Sequence, residues 1–444
     1  MRKNIVLGII GLMLLAACAA PPSPAPTLPA AVDTPTVTAE VAPTSEAMPP
    51  RDDPTPAAAD ETVPLGGELL ARPTPSYIAP LALPLPAGVV SETLSNPVTV
   101  ADGLRVLYLN GSLHVWDVSA QTDVDLGWPI HAIDCPALAG DGKTFYFSDQ
   151  RGVNEIDLTS VVTPTLLVKH YVDDNNPARD RQFCVIGESG DGANLLMQAR
   201  DRQWYQLGVL TPETGVLRVV ESPLGPPGEP WGCPGAIAWG EDNTILVSGY
   251  SVGSCIQAPG LYKVGWGQPL VPSPVLTGTL PALADRLPQR AGAWHLTPNA
   301  DHSKIAFWFD QDYARDDGAF LAQTLTVVDG NGENPVQLTD AIPGRNGPPV
   351  WSADGKSLYI ATAEQFDVLD PHPWQIRRIG LDGADEVVAE LDARFALLAG
   401  PERGGKLLVL LMTDELTYGL HVLDLASGEL LNGPANVAVV GWLP

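Results

Sequence analysis

The stretch Pro348-Pro349-Val350-Trp351-Ser352-Ala353-Asp354-Gly355-Lys356-Ser357-Leu358-Tyr359-Ile360-Ala361 decides the fold. Its two apolar runs are separated by Asp-Gly-Lys, and Asp-Gly between hydrophobic runs indicates a tight turn between two strands. A companion unit at 325–339 has the same order, with an acidic glycine turn at Asp329-Gly330. Short strands separated by turns about every ten residues are typical of a β-sandwich or a β-propeller.

Weaker copies of this unit recur along the chain and give a repeat of about 40–50 residues. Together with the best unit at 348–361, the seven units lie at 101–126, 139–147, 188–196, 237–247, 294–298 with the Asp329 turn, 348–361 and 396–431. Repeats of this length that each form one small sheet predict an all-β fold, a β-propeller of seven blades, with six or eight blades as the alternatives. The last stretch, 437–442, resembles the Val350-Trp351 strand and is expected to complete the first blade and close the ring.

The two best units resemble the WD40-like repeat of the TolB family, whose blades contain P-x-W-S-P-D-G-K followed by an apolar strand. Ala353 replaces the usual second proline, which a turn tolerates. The resemblance implies a propeller that serves as a docking partner. The separate N-terminal α/β domain of TolB has no counterpart here, so a role in the Tol system is not implied.

The N-terminus has the composition of a secretory signal peptide. Arg2 and Lys3 precede an apolar run that ends in Leu15-Ala16-Ala17-Cys18. This ending resembles the lipobox of bacterial lipoproteins, which implies removal of residues 1–17 and attachment of lipid to Cys18. An ordinary cleaved signal peptide with a chance cysteine is the alternative. The expected location is extracytoplasmic, on the bacterial cell membrane or the outer membrane.

Residues 18–76 are rich in Pro, Ala and Thr and lack aromatic side chains. Such a segment cannot bury enough apolar surface to offset the entropy lost on ordering. It is therefore predicted to be a disordered tether between the lipid and a propeller domain at 77–444.

The formal net charge of the 444-residue chain is −27. A charge of this sign and size excludes nucleic acid and anionic lipid headgroups as partners, because both are repelled. The expected partners are the membrane, through the lipid on Cys18, and another envelope protein or a glycan.

Four cysteines follow Cys18, and an even number in an oxidising compartment indicates two disulfides. Cys135, Cys184 and Cys233 are 49 residues apart at each step, so the repeat places them at similar heights on the inner strands of blades two, three and four. Cys255 follows the second strand of blade four. We expect a Cys135–Cys184 bond between neighbouring blades and a Cys233–Cys255 bond within one blade. Zinc is the alternative, but the sequence has no Cys-x-x-Cys pair.

The sequence contains no convincing catalytic motif. Gly249-Tyr250-Ser251-Val252-Gly253 fits G-x-S-x-G, but no helix is predicted after it, so it is interpreted as a hairpin loop. His295 lies in a predicted inner strand and faces either the channel or the core. The inner-strand tryptophans Trp239, Trp294, Trp351 and Trp442 are interpreted as the framework of the repeat rather than as sugar-binding platforms.

Two acidic stretches, predicted to be loops, carry the candidate ligand residues Asp173, Asp174, Asp310 and Asp312. Carboxylates in loops suit Ca²⁺, while solvated loop charge is the alternative interpretation, so no cofactor is assigned.

The sequence therefore favours a lipid-anchored propeller that binds a protein or a ligand and is not an enzyme. One alternative is an enzyme with its site in the propeller channel, of the lactonase, lyase or quinone-dependent dehydrogenase type. The other is an architectural envelope protein.

Overall fold

A computed structural model gives the fold of the chain. It describes residues 77–78, 98, 103–129, 134–149, 151–160, 164–170, 182–200, 205–220, 234–241, 244–249, 259–265, 272–278, 280, 291–313, 321–344, 346–363, 371–412 and 418–443. These residues form β-strands joined by turns. The predicted signal peptide, Cys18 and the whole predicted tether at 18–76 lie outside the described residues. The part of the chain that the structure describes has no helix able to span a membrane.

Seven antiparallel sheets form a ring, so the prediction of a seven-bladed propeller is confirmed. Numbered from the inside of the ring outward, the first three blades contain the following strands. Blade one has β30 (Ala438–Leu443), β2 (Arg105–Leu109), β3 (Ser112–Asp117) and β4 (Thr122–Pro129). Blade two has β5 (Asp134–Leu138), β6 (Thr144–Ser148), β7 (Gly152–Asp157) and β8 (Thr165–Lys169). Blade three has β9 (Gln182–Glu188), β10 (Leu195–Arg200), β11 (Tyr205–Thr211), β12 (Val216–Val219) and the edge strand β1 (Tyr77–Ile78).

The other four blades repeat the same antiparallel order. Blade four has β13 (Pro234–Trp239), β14 (Ile245–Gly249), β15 (Gly260–Val264) and β16 (Pro272–Leu276). Blade five has β17 (Ala293–Pro298), β18 (Lys304–Tyr313), β19 (Leu321–Asp329), β20 (Val336–Gln337) and β21 (Ile342–Pro343), the last two both paired with β19. Blade six has β22 (Val350–Trp351), β23 (Ser357–Thr362), β24 (His372–Gly380) and β25 (Asp385–Ala393). Blade seven has β26 (Phe395–Leu398), β27 (Lys406–Met412), β28 (Tyr418–Asp424) and β29 (Leu430–Ala435).

The ring closes within blade one. The C-terminal strand β30 pairs with β2, with Leu443 opposite Arg105 and Ala438 opposite Leu109. The prediction that residues 437–442 complete the first blade is therefore confirmed. This pairing leaves no open strand edge where the two ends of the propeller meet.

The hydrophobic core is divided among the interfaces between blades. The described residues include seven clusters of buried side chains, one between each pair of neighbouring sheets. A second strand such as β14 or β23 is buried along its whole length because both of its faces contact another blade. An outer strand such as β25 is mostly exposed. This layering explains why the repeat has continuous apolar runs rather than strict alternation.

The glycine of the Asp-Gly turn is required by the backbone. Gly355 has φ 66° and Gly142 also has φ 66°, in the left-handed region that favours glycine. The Gly355 amide donates to the Ser352 carbonyl and the Gly142 amide donates to the Ala139 carbonyl, which closes the turn. The turns predicted from sequence therefore connect the first and second strands of blades six and two.

Candidate functional site: the two faces of the ring

The connections between strands divide the ring into two faces of different character. Since the strands alternate in direction, the turns between strands one and two and between strands three and four share one face. These turns vary little in length, from 118–121 to 399–405, and we call this the short-turn face. The other face carries the connections between strands two and three and those between blades. Within blades they run from 110–111 to 250–259, and between blades they reach 277–292, so we call it the long-loop face.

The acids of the short-turn face are largely engaged by their own turns. Asp191 accepts from the Ser189 hydroxyl at 2.6 Å and the Ala193 amide at 3.0 Å, and these bonds hold its pKa below the usual range. Asp301 accepts from the hydroxyl and the amide of Ser303, with the same effect on its pKa. These carboxylates therefore stabilise turns.

Asp310 lies in β18, so the prediction of a loop at this position was wrong. Its carboxylate is buried and accepts from the Gly292 amide at 2.8 Å, from Trp294 Nε1 at 2.9 Å and from Gln323 Nε2 at 2.9 Å. Gln323 Oε1 in turn accepts from the Asn346 amide. Asp310 thus connects the first three strands of blade five to the start of blade six.

The other candidate ligand residues are placed differently. Asp312 also lies in β18 rather than in a loop, and it is exposed. Asp173 and Asp174 lie outside the described residues. Among the residues that the structure does describe, no group of three or more His, Cys, Asp or Glu side chains is placed to hold a metal ion.

β-Bulges change the direction of side chains on the innermost strands. The innermost strands of blades one to five each carry an irregularity against the second strand, and in blade five it falls between Trp294 and Thr297. His295 lies in this bulge with φ 56°, and burial lowers its pKa to about 4. The imidazole is therefore neutral at pH 7.

Two of the four inner-strand tryptophans donate hydrogen bonds to a neighbouring blade. Trp351 Nε1 donates to the Thr297 carbonyl of blade five at 2.8 Å, and Trp442 Nε1 donates to the Pro401 carbonyl of blade seven at 2.8 Å. Trp239 is buried, and Trp294 Nε1 donates to Asp310. These contacts agree with the interpretation of the four side chains as the framework of the repeat.

The predicted disulfide between blades two and three is confirmed. Cys135 in β5 and Cys184 in β9 are bonded, and their Cα atoms are 5.4 Å apart. Both cysteines lie on innermost strands, as their spacing predicted. Cys233 and Cys255 lie outside the described residues, so their pairing stays a prediction.

The G-x-S-x-G segment belongs to the connection between the antiparallel strands β14 and β15. Gly249 ends β14, Gly260 begins β15, and the two strands pair antiparallel with these glycines opposite each other. Residues 250–258 themselves lie outside the described residues. The flanking strands agree with the interpretation as a loop, since the nucleophile elbow of hydrolases connects a strand to a helix.

One polar cluster was missed by the sequence analysis. In blade one, His114 lies between Ser112 and Asp123, with both of its ring nitrogens within hydrogen-bond distance of a neighbour. The Ser-x-His spacing on a strand places the two side chains on one face and was the available signal. Asp123 comes from the next strand, and its position depends on the pairing register.

No protein-family model matches the sequence, and no curated protein matches it either. The propeller is similar to an oligogalacturonate lyase in complex with manganese, with a TM-score of 0.50 and 13% identity over 80% of this chain and 89% of that one. It is also similar to a putative TolB from Agrobacterium tumefaciens, with a TM-score of 0.38 and 14% identity over 77% of this chain and 99% of that one. A third match is a tricorn protease, with a TM-score of 0.42 and 13% identity over 76% of this chain, but the chain spans only 36% of the length of that protease.

These similarities agree with the fold and go no further. The chain is a β-propeller protein with seven blades, and TolB proteins are among the propellers that it resembles. At such low identities a shared fold does not transfer a substrate or a partner.

Proposed function

We propose that this chain is an exported lipoprotein, anchored to a bacterial membrane through Cys18, whose propeller binds another envelope protein or a glycan through the long-loop face. The role is that of a binding module and requires neither a catalytic step nor a cofactor.

The observation that carries the binding role is the difference between the two faces. In repeat folds, insertions collect on one face of a rigid scaffold, and that face is often the binding face. Here the turns of the short-turn face are nearly constant in length, whereas the connections assigned to the opposite face are as long as 250–259 and 277–292. The interblade hydrogen bonds and the closed ring supply the rigid support for these loops.

Two features support an extracytoplasmic location. The sequence Leu15-Ala16-Ala17-Cys18 supports lipid attachment, and the Cys135–Cys184 bond suits an oxidising compartment. Both agree with a propeller held on the outer side of a membrane.

Lipid anchoring is tested by expressing the full chain and a Cys18→Ser variant in bacteria supplied with a clickable fatty acid. We expect the wild type to incorporate the fatty acid and to fractionate with membranes. The variant should incorporate none. Equal labelling of both chains would contradict the lipid anchor and leave the binding role unaffected.

The binding face is tested with a photo-crosslinking amino acid placed at Pro371 or Asn110, which are exposed in the β23–β24 and β2–β3 connections of the long-loop face. Glu213 and Glu429, which are exposed on the short-turn face, are the matched control positions. We expect discrete adducts from the long-loop positions and none from the controls. The same adducts from both faces, or adducts from the short-turn face alone, would contradict the proposed binding face.

A further inference from the structure

Blade one carries a polar cluster on the side that faces blade seven. Ser112 and His114 are separated by one residue in β3, so their side chains share one face of the sheet. The pairing register puts Tyr108 of β2 and Asp125 of β4 opposite His114. Asp123 is two residues before Asp125 and therefore lies on the same face.

The hydrogen bonds of the cluster form a chain through the imidazole. Ser112 Oγ is 2.9 Å from His114 Nε2, and His114 Nδ1 is 2.9 Å from Asp123 Oδ2. The Tyr108 hydroxyl donates to Asp123 Oδ1 at 2.7 Å, and the Tyr108 ring stacks on the imidazole with centroids 5.2 Å apart. The imidazole is thus fixed on two sides, with Nδ1 donating to Asp123 and Nε2 facing the serine hydroxyl.

We propose that Ser112, His114 and Asp123 form an acyl-transfer site that hydrolyses small activated carboxylic esters. A hydroxyl, an imidazole and a carboxylate in this order are the elements of nucleophilic serine catalysis, whatever the fold that carries them. The inference adds an activity to a chain whose proposed binding role needs none, and it does not depend on that role.

The step balances with water as the only co-reactant. Ser112 Oγ attacks the ester carbonyl carbon while its proton passes to His114 Nε2, and Asp123 stabilises the imidazolium that forms. Collapse of the tetrahedral intermediate breaks the bond to the leaving oxygen, which takes the proton from His114. Water then attacks the acyl-serine in the same way and releases the acid.

The position of the cluster determines the class of substrate. Ser112 is partly exposed and the side chain of Asp123 is 42% exposed, so the cluster is open to solvent. Esters with good leaving groups are the expected substrates, because their leaving oxygen needs less stabilisation than the nitrogen of an amide. Tyr108 and Asp123 act through the imidazole that they contact, so they are positioning residues.

Asp125 provides a second acceptor for the same hydroxyl. It hydrogen-bonds to Ser112, and the Gly127 amide donates to it at 2.7 Å and helps to hold its pKa below the usual range. Because the serine has one proton, the bond to Asp125 competes with the bond to His114. The arrangement therefore predicts opposite effects for the two aspartates.

The test uses the purified full chain and a fluorophosphonate probe, which reacts when a serine oxygen attacks phosphorus and fluoride leaves. Peptide mass analysis should place one adduct on Ser112. We expect Ser112→Ala to abolish labelling and His114→Gln to slow it by about 10²-fold or more. Asp123→Asn should also slow labelling, whereas Asp125→Asn should accelerate it by about 5–10-fold.

Ser303→Ala is the matched control, because Ser303 is bonded to a carboxylate without an imidazole in the pair. Thermal melting of every variant checks the fold. An adduct at another residue, no adduct in the folded wild type, or labelling that is unaffected by His114→Gln would overturn the proposal. Equal labelling rates for the Asp123 and Asp125 variants would also overturn it. The proposal predicts opposite changes in rate, whereas a purely structural network does not.

Discussion

Glu188 and Glu402 make the same contact at two different junctions between blades. Glu188 accepts from the Gly140 amide in the turn of blade two, and Glu402 accepts from the Ala353 amide in the turn of blade six. Each glutamate lies beside the tyrosine of the preceding blade's second strand, Tyr146 or Tyr359. Burial and the neighbouring Glu402 raise the pKa of Tyr359 to about 12. A single glutamate therefore fixes one blade turn against the next.

At the junction of blades two and three this contact has an electrostatic cost. Burial raises the pKa of Glu188, and the charges of Asp141 and Asp191 add to the effect. Burial, Glu188 and Asp141 together raise the pKa of Glu155. Each of these groups binds its proton more tightly in the folded protein than in the unfolded chain. Their destabilising effect is complete above the folded pKa and disappears as the pH falls below the unfolded value.

We predict that Glu188→Gln stabilises the protein at pH 7 by about 0.5–1 kcal/mol, a range reduced for solvent screening. The amide oxygen can still accept from Gly140, while the charge is removed. The advantage over the wild type should shrink as the pH falls from 7 towards about 4, where the wild-type carboxyls are protonated. Urea midpoints of both proteins across this range measure the difference. The exposed Glu429→Gln variant is the control, and an advantage that grows on acidification would contradict the mechanism.

Replacing Asp310 is expected to destabilise the protein rather than stabilise it, because its buried carboxylate accepts three hydrogen bonds. Asp310→Asn turns an amide NH₂ group towards donors such as the Gly292 amide or Trp294 Nε1, so a buried donor faces another donor. We expect a loss of about 1–3 kcal/mol in the free energy of unfolding. Urea denaturation measures the loss, with the exposed Glu386→Gln as the control. A neutral effect would show that the network rearranges without cost.

Asp310 also shows why the sequence alone did not predict the local structure at this residue. A run of Asp, Gln and Asp has the composition of a loop, and a loop was therefore predicted at 310–312. The strand continues because the paired strand β19 supplies Gln323 and because the Gly292 amide satisfies the buried charge. These partners are distant in sequence, and their positions follow from the tertiary structure.

At the scale of the strand, the repeat made the disulfide predictable. Equal spacing placed Cys135 and Cys184 at the same height on neighbouring inner strands, and the bond is found there. The pairing register between β3 and β4 carries no comparable signal, and so the Ser112 cluster was not predicted. Sequence periodicity determines which strand a residue occupies, whereas packing decides which residue of the next strand lies opposite.

We predict that the native protein has no free thiol, so alkylation before unfolding should leave Cys135 and Cys184 unmodified. Replacing both with serine should reduce the free energy of unfolding by about 4 kcal/mol, the loop-closure entropy of a separation of 49 residues. Intact mass and urea denaturation measure these effects. Two or more alkylated cysteines in the native protein would contradict the prediction for all four cysteines.

For the whole molecule, the repeat predicted the ring but could not assign a role to either face. Turn signals such as Asp-Gly identify the short-turn face because the geometry of these turns restricts their residues. The longer connections have no shared pattern, since each can differ without disturbing the strands that it joins. The sequence therefore predicts the scaffold that presents the loops. The identity of the partner depends on loop residues that follow no repeated pattern.

Closure within a blade gives the final prediction, which concerns circular permutants. Leu443 lies opposite Arg105, so a short glycine-containing linker from 443 to 103 would form an ordinary turn between the first and second strands of blade one. A permutant with new ends between Asp382 and Gly383 keeps one blade shared by both termini. A permutant opened within 281–289 has no shared blade, so its ring closes only through packing between blades.

We expect the first permutant to unfold at nearly the wild-type urea concentration and the second at a clearly lower one. Closure within a blade joins the two ends of the ring by backbone pairing. Between β30 and β2 this pairing runs through five residue pairs, from Arg105–Leu443 to Leu109–Ala438. Packing alone leaves the ends of the ring free to separate and exposes strand edges when they do. Size-exclusion chromatography checks that both permutants are monomeric. Equal midpoints for the two would mean that interblade packing, with the Trp351 and Trp442 bonds, closes the ring without a shared blade.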